Sequence, residues 1–135
     1  MKIRKAGAED RDRVTAFARK HGMANAGMEE DAFLLAEDGG RLAGVIGLKK
    51  HPDCLELCAL CVEDADRGTG LGRILVEEVV RLAGGPIHLT TIIPGFFEKC
   101  GFVRTSAVPA GMKKDPDWCE GCDMSRCTVM IREIR

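Results

Sequence analysis

The sequence predicts an α/β fold of the α+β kind, a mixed central sheet flanked by helices, and three observations carry that expectation. The first is the order of an apolar run (Leu55–Val62), a glycine-rich turn, a breaker-free amphipathic stretch (Leu71–Ala83) and a second apolar run (Ile87–Ile93). A strand–helix–strand unit of this length is normally parallel and right-handed. The second is a pair of apolar runs, Ala32–Glu37 and Leu42–Leu48, on either side of Asp38-Gly39-Gly40, which reads as an antiparallel hairpin. The third is Thr128–Ile134, whose apolar residues alternate as in a closing strand.

Taken in order, Lys2–Arg4 reads as a short first strand. Glu9–His21 follows as a helix, with Val14, Phe17 and Ala18 at helical spacing and Glu9, Asp10 and Asp12 near its start, where the dipole favours anions. Gly22–Glu30 is a small-residue connection. After the hairpin, His51-Pro52-Asp53 breaks the chain. Leu55–Val62 carries one charged residue, Glu56, and its apolar character suits a strand buried on both faces. In Leu71–Ala83 the apolar face is read as Leu71, Ile74, Leu75, Val79 and Leu82, and Gly84-Gly85-Pro86 ends the helix. Pro94–Cys100 reads as a short helix, and a strand begins at Gly101-Phe102-Val103. Thr105–Arg126 is long and irregular.

A chain of 135 residues suits a single domain, 1–135, with one core. A net charge of −1 leaves no electrostatic footprint for a nucleic-acid backbone. No apolar run is long enough to span a bilayer, and the charged start Met1-Lys2-Ile3-Arg4-Lys5 has no hydrophobic stretch behind it. The expectation is a cytoplasmic protein whose seven cysteines are thiols or metal ligands rather than disulfides. There is no tyrosine.

The turn Arg67-Gly68-Thr69-Gly70-Leu71-Gly72 presents free N–H groups at a helix N-terminus, which is an anion cradle. A phosphate-loop ATPase needs Lys and Ser/Thr after its last glycine, whereas Gly72 is followed by Arg73-Ile74. A dinucleotide fingerprint needs a third glycine where Arg73 or Leu75 stands. The pattern Arg-x-x-Gly-x-Gly, after a strand and opening a helix, resembles the acetyl-CoA loop of the GNAT acetyltransferases. Gly95-Phe96-Phe97-Glu98-Lys99-Cys100-Gly101-Phe102 resembles that family's later Phe-Tyr-Glu-Lys-Leu-Gly-Phe segment. The order of elements is the family's too. A closer likeness is to the acetyltransferase domain of N-acetylglutamate synthases, in short stand-alone form. It rests on Leu89-Thr90-Thr91, the Phe96–Phe102 segment, Lys113-Lys114 and the spaced cysteines of the tail.

The resemblance implies the GNAT fold, with a V-shaped splay between two parallel strands. It implies acetyl transfer from acetyl-CoA to a primary amine of a small molecule, an amino acid such as glutamate being one acceptor. Leu60 and Val62 would offer main-chain groups to pantetheine. Arg67, Gly68, Thr69, Gly70, Leu71, Gly72 and Arg73 would hold the pyrophosphate. Glu56 lies eleven residues before Arg67, where the histone-acetylating branch carries its general base; the competing reading is a carboxylate at a wet strand end. Acceptor specificity would lie in Gly22–Glu30 and Thr105–Arg126, with Arg104, Lys113 and Lys114 available to a carboxylate. The family's usual tyrosine acid is replaced by Phe97, and Cys100 is the nearby thiol, read chiefly as packing. The partners expected are a small-molecule amine and, as an open assembly, a second copy in a homodimer; nucleic acid and membrane are not expected.

Cys119, Cys122 and Cys127 have metal-like spacing, and two thiolates of a Cys-x-x-Cys can share one zinc at about 2.3 Å. Asp123, His51 or Cys100 would complete a fourfold site; a redox disulfide and three free thiols are the alternatives. Two further function classes stay open. One is an acyl-CoA sensor without turnover, favoured by the missing tyrosine. The other is an acetyltransferase scaffold carrying a metal or redox cysteine site. His21, His51 and His88 sit in no motif.

Overall fold

The structure is a computed structural model that describes residues 2–23, 31–107, 109 and 128–133. The strands are β1 (Lys2–Lys5), β2 (Ala32–Asp38), β3 (Arg41–Lys50), β4 (Leu55–Val62), β5 (Ile87–Thr91), β6 (Val103–Arg104) and β7 (Thr128–Arg132). The helices are α1 (Arg11–Lys20), α2 (Leu71–Ala83) and α3 (Pro94–Lys99). The strands form one seven-stranded sheet in the order β1-β2-β3-β4-β5-β7-β6. All neighbouring pairs are antiparallel except β4 and β5, which are parallel. This is the expected mixed sheet with helices on its faces.

Two apolar layers hold the helices. Leu34, Ala36, Ile46 and Leu57 pack against Leu71, Leu75, Val76, Val79 and Val80 of α2, together with Phe97, Phe102 and Met130. Phe33, Leu35 and Val45 pack with Val14, Phe17 and Ala18 of α1. β2 and β3 are therefore covered on both faces, which is why they read as continuous apolar runs. On α2 the buried stripe is Leu71, Leu75, Val76, Val79 and Val80. Ile74 and Leu82, expected on that stripe, are exposed; the helix is turned so that two slim valines meet the sheet instead.

The edge of the sheet is fastened to α1 by charge. The Arg4 guanidinium donates to Asp10 from Nη1 at 2.8 Å and Nη2 at 2.9 Å, and its Nε donates to Glu37 at 2.5 Å. The Gly7 N–H donates to Asp10 at 2.8 Å, and Arg13 reaches both carboxylates at 3.3 Å. The Arg4 hydrogen bonds, then the Gly7 N–H, hold the Asp10 carboxyl well below the usual carboxylate range. Glu37 is lowered mainly by Arg4. A carboxylate with a depressed folded pKa contributes stability above its unfolded pKa of about 4 and loses it as pH falls toward the folded value. Thermal melts between about pH 2 and about pH 7 should therefore show stability falling on the acid side. Asp10→Asn should be less stable near neutrality and show a flatter acid limb; a limb unchanged in slope would refute this account.

Candidate active site

β4 and β5 share one pair in register, Glu56 with His88. Beyond it toward the C-terminal ends no further pair is in register, so the two parallel strands part. The backbone of β4 is also irregular. Its register with β3 slips between Val45 and Gly47, and Ala59 adopts φ 51°, a left-handed conformation rare outside glycine. This is a bulge. Its effect is visible in the packing: Leu57, Leu60 and Val62 join the α2 layer, while Ala59 and Cys61 join the α1 layer. Simple alternation from Leu57 would have put Ala59 and Cys61 on the α2 side. Gly47 pairs with Cys58 beside the bulge, and a Cβ there would sit 2.8 Å from Cys58 Sγ and 3.0 Å from the Phe33 ring.

The glycine turn follows a short 3-10 turn, Asp64–Asp66. Gly68 and Gly70 have φ of 80° and 85°, and Gly70 is the N-cap of α2. The first helical bond from this end is Ile74 N–H to Gly70 O at 3.0 Å, leaving the preceding N–H groups, of Leu71, Gly72 and Arg73, directed out of the helix end. The Thr69 hydroxyl donates to the Asp66 carbonyl at 2.5 Å and shapes the turn rather than facing outward. Among the described residues, no atom beyond the adjoining residues lies within 4 Å of a Cβ built at Gly68 or Gly70, whereas one at Gly72 meets Phe96 at 3.4 Å. Arg67 is largely exposed; its Nε donates to the Val62 carbonyl at 3.4 Å and lies 3.3 Å from Asp64. The outer side of this turn is therefore open, and its N–H groups and the helix dipole favour negative charge there.

Glu56 is 4% exposed, so it is not a carboxylate at a wet strand end. Its Oε1 lies 2.7 Å from His51 Nε2. Lys49 stands opposite it on β3. Lys49 Nζ pairs with Asp31 at 3.3 Å, and the Cys58 thiol donates to Asp31 at 3.7 Å. Burial raises the Asp31 carboxyl, against the pull of Lys49. Burial, then the Asp31 and Glu56 charges, push the Cys58 thiol far up, so it stays protonated at neutral pH. The sequence gives no motif for Asp31, Lys49, His51 or Cys58; only the odd–even position of Cys58 relative to Glu56 hinted that they share a face.

The other expected residues divide clearly. Leu60 and Val62 lie on the parted stretch of β4. Phe97, at the family's tyrosine position, is buried and meets Phe102 edge-on at 5.8 Å. Cys100 is a buried core thiol raised by desolvation, in keeping with packing. Arg104 is exposed and 3.5 Å from Glu98. Cys54, Cys58, Cys61 and Cys100 are free thiols. Cys119, Cys122, Cys127, Lys113, Lys114 and most of the two acceptor segments lie outside the described residues. Among the described residues no cluster of three His, Cys, Asp or Glu is arranged for a metal, and no helix is long and apolar enough to cross a membrane.

A sequence model of the Acetyltransferase (GNAT) family matches residues 5–102. No curated protein matches the chain. Solved structures share the fold at low identity. Rv2747 from Mycobacterium tuberculosis, in complex with CoA and NLQ, is 17% identical with a TM-score of 0.76 over 100% of both chains. N-acetylglutamate synthase from Neisseria gonorrhoeae, complexed with coenzyme A and N-acetyl-glutamate, is 19% identical with a TM-score of 0.79 over 99% of this chain and 35% of its own. A GNAT-family acetyltransferase from Staphylococcus aureus is 16% identical with a TM-score of 0.76 over 99% of both. The family match spans most of the chain and covers the parting strands, the glycine turn and α2, and this protein belongs to the GNAT acetyltransferase family: it is an acyltransferase.

Proposed function

We propose that the protein transfers an acetyl group from acetyl-CoA to the primary amine of a small molecule, with Glu56 as the general base. The single observation that carries this is the junction of β4 and β5. The strands are parallel, meet at Glu56 and then part, and the glycine turn with its outward N–H groups follows β4 directly. That supports a pantetheine arm lying between the strands, against Leu60 and Val62, with the pyrophosphate on Arg67–Gly72 and Arg73.

Acetyl-CoA supplies an activated thioester. The protein's part is to bind it, orient it and handle protons. An ammonium cannot attack a carbonyl carbon, so a buried carboxylate at the junction is the group placed to remove the proton. A bulge leaves an extra residue unpaired in the ladder, so a main-chain N–H of β4 near Ala59 is the candidate to meet a developing oxyanion. No tyrosine exists to protonate the departing sulfur, but a thiol with an ordinary pKa near 8.5 leaves tolerably as thiolate.

For the acceptor we favour an amino acid such as glutamate. A cavity of about 390 Å³ offers Lys5, Arg11 and Lys50 to a carboxylate, with Asp31 also in its wall; Glu56 and the glycine turn do not line it. The fold likeness to a structure holding N-acetyl-glutamate supports the same class. A CoA-release screen of amino acids, polyamines and peptides tests the reading: release with glutamate supports it, release only with a polyamine or peptide overturns the acceptor class, and CoA binding with no release by any amine overturns turnover. That last outcome is the acyl-CoA sensor, for which Phe97 in place of a tyrosine is the favouring observation. A cytoplasmic site of action and a homodimer belong to the same proposal.

The tail cysteines carry a separate expectation. If Cys119, Cys122 and Cys127 hold zinc, about one zinc per chain should co-purify without chelator, and chelation should lower the melting temperature. Metal-free protein whose three thiols react fully in the native state would rule this out.

A further inference from the structure

Glu56 is buried, so any proton it accepts has to leave through a neighbour. The side chain of Glu56 is 6% exposed and that of His51 is 16% exposed, with Nε2 of the imidazole 2.7 Å from Oε1 of the carboxylate. His51 is itself held in place: its N–H donates to the Cys54 carbonyl at 2.9 Å, closing the short turn between β3 and β4. The ring therefore bridges the buried carboxylate and the rim. An imidazole is the side chain suited to exchanging protons near neutral pH.

We infer that His51 is a positioning residue that orients Glu56 and relays its proton to solvent. This rests on the reading of Glu56 as the base. The acceptor's ammonium gives one proton to Glu56. The neutral nitrogen then bonds to the acetyl carbonyl carbon, the carbon–sulfur bond breaks, and CoA leaves with the electron pair on sulfur; the second proton, lost from nitrogen as the amide forms, goes to that thiolate. While Glu56 is ionised, Nε2–H donates to Oε1. Once Glu56 is protonated, the imidazole exchanges through water to its Nδ1–H tautomer, Nε2 takes the proton from Oε1, and the imidazolium releases a proton to water from Nδ1, which returns the pair to its starting state. No redox partner is involved.

Other charged and titratable groups surround the pair. Lys49 faces Glu56 from β3, His88 from β5 and Cys58 along β4, while Asp31 lies beyond Lys49, and Asp53 and Cys54 occupy the turn. His88 Nδ1 is buried without a hydrogen-bond partner among the described residues, so it offers no onward path to a second protein group. His51, with its side chain 16% exposed, reaches the rim instead.

The test compares His51→Ala, His51→Gln and Glu56→Gln by steady-state kinetics. It uses acetyl-CoA and the amine that releases most CoA in the screen, with and without added imidazole. Circular-dichroism melts confirm that each variant folds. Glutamine keeps a hydrogen bond to Glu56 but carries no proton. Both His51 variants should lose roughly 10- to 100-fold in kcat, less than a lost base, with KM for acetyl-CoA unchanged. Imidazole should restore His51→Ala in proportion to its free base and should not restore Glu56→Gln. Wild-type activity in both His51 variants, or a deficit repaired by glutamine and not by imidazole, overturns the relay. A fully active Glu56→Gln overturns instead the reading of the base on which the relay stands.

Discussion

Glu56→Gln should lower kcat by roughly 10²–10⁴, the usual contribution of a positioned general base. The affinity for CoA should barely change, because in the proposed mode main-chain groups of the parted strand and the glycine turn, not Glu56, hold the cofactor. The substitution is nearly isosteric, and the glutamine oxygen can still accept from His51, so the loss falls on proton transfer rather than on folding. The rising limb of the pH–rate profile should move toward the free amine's own pKa, since only amine already neutral in solution can react. Kinetics of both proteins from about pH 6 to about pH 10 check this. Cys100→Ser, in a buried thiol of the core, should lower stability and leave the shape of the profile alone. Equal activity of Glu56→Gln and wild type would remove Glu56 from the chemistry.

Gly70→Val should weaken CoA binding by roughly 100-fold, or about 3 kcal/mol, the worth of about two charge-assisted hydrogen bonds. Two effects combine. Gly70 has φ 85°, where a β-branched residue costs about 1–2 kcal/mol, so the turn is pushed out of shape. The added side chain also stands in the space beside the first N–H groups of α2, where among the described residues no atom beyond the adjoining residues lies within 4 Å. A pyrophosphate bound there as proposed would meet the side chain, while the fold would not. Calorimetric titration with CoA reads the binding, and a melt reads the strain. Gly72→Ala separates the terms, because its Cβ meets Phe96 at 3.4 Å and Val62 at 3.8 Å, and its φ is ordinary; it should bind far better than Gly70→Val. Undiminished CoA affinity in Gly70→Val would mean that the turn is not the pyrophosphate site.

Much of this was legible in the chain because the signals are local. Leu55–Val62 and Leu71–Ala83 are found with the bounds the apolar pattern predicts. Such runs are set by burial on one or both faces, and glycine and proline mark their ends. The glycine turn was legible because positive φ, found at Gly68 and Gly70, leaves few other residue types. Its neighbour Arg67 is exposed, with its guanidinium beside the Val62 carbonyl and Asp64, contacts that residue type alone does not announce. The stripe of α2 was misread at Ile74 and Leu82, because hydrophobicity tells which residues prefer burial and not how a helix rotates to fit a sheet.

The site itself divides along the same line. The sequence by itself determined the parallel unit, the glycine turn at the mouth of α2 and the presence of one carboxylate on an otherwise apolar strand. Those depend on residue type and spacing within a few turns of chain. Tertiary structure decided that β4 bulges at Ala59, where no glycine or proline announces it, since a bulge is settled by register against β3. It decided that β4 and β5 part just past Glu56, which is a property of two strands twenty-five or more residues apart in sequence and of the layers packed on them. It also decided that His51, five residues before Glu56 and unremarkable in a turn, lies within hydrogen-bonding distance of it. A turn that folds back on itself brings such residues together, and burial then makes each the other's partner, because a carboxylate taken out of water must find a hydrogen bond within the protein.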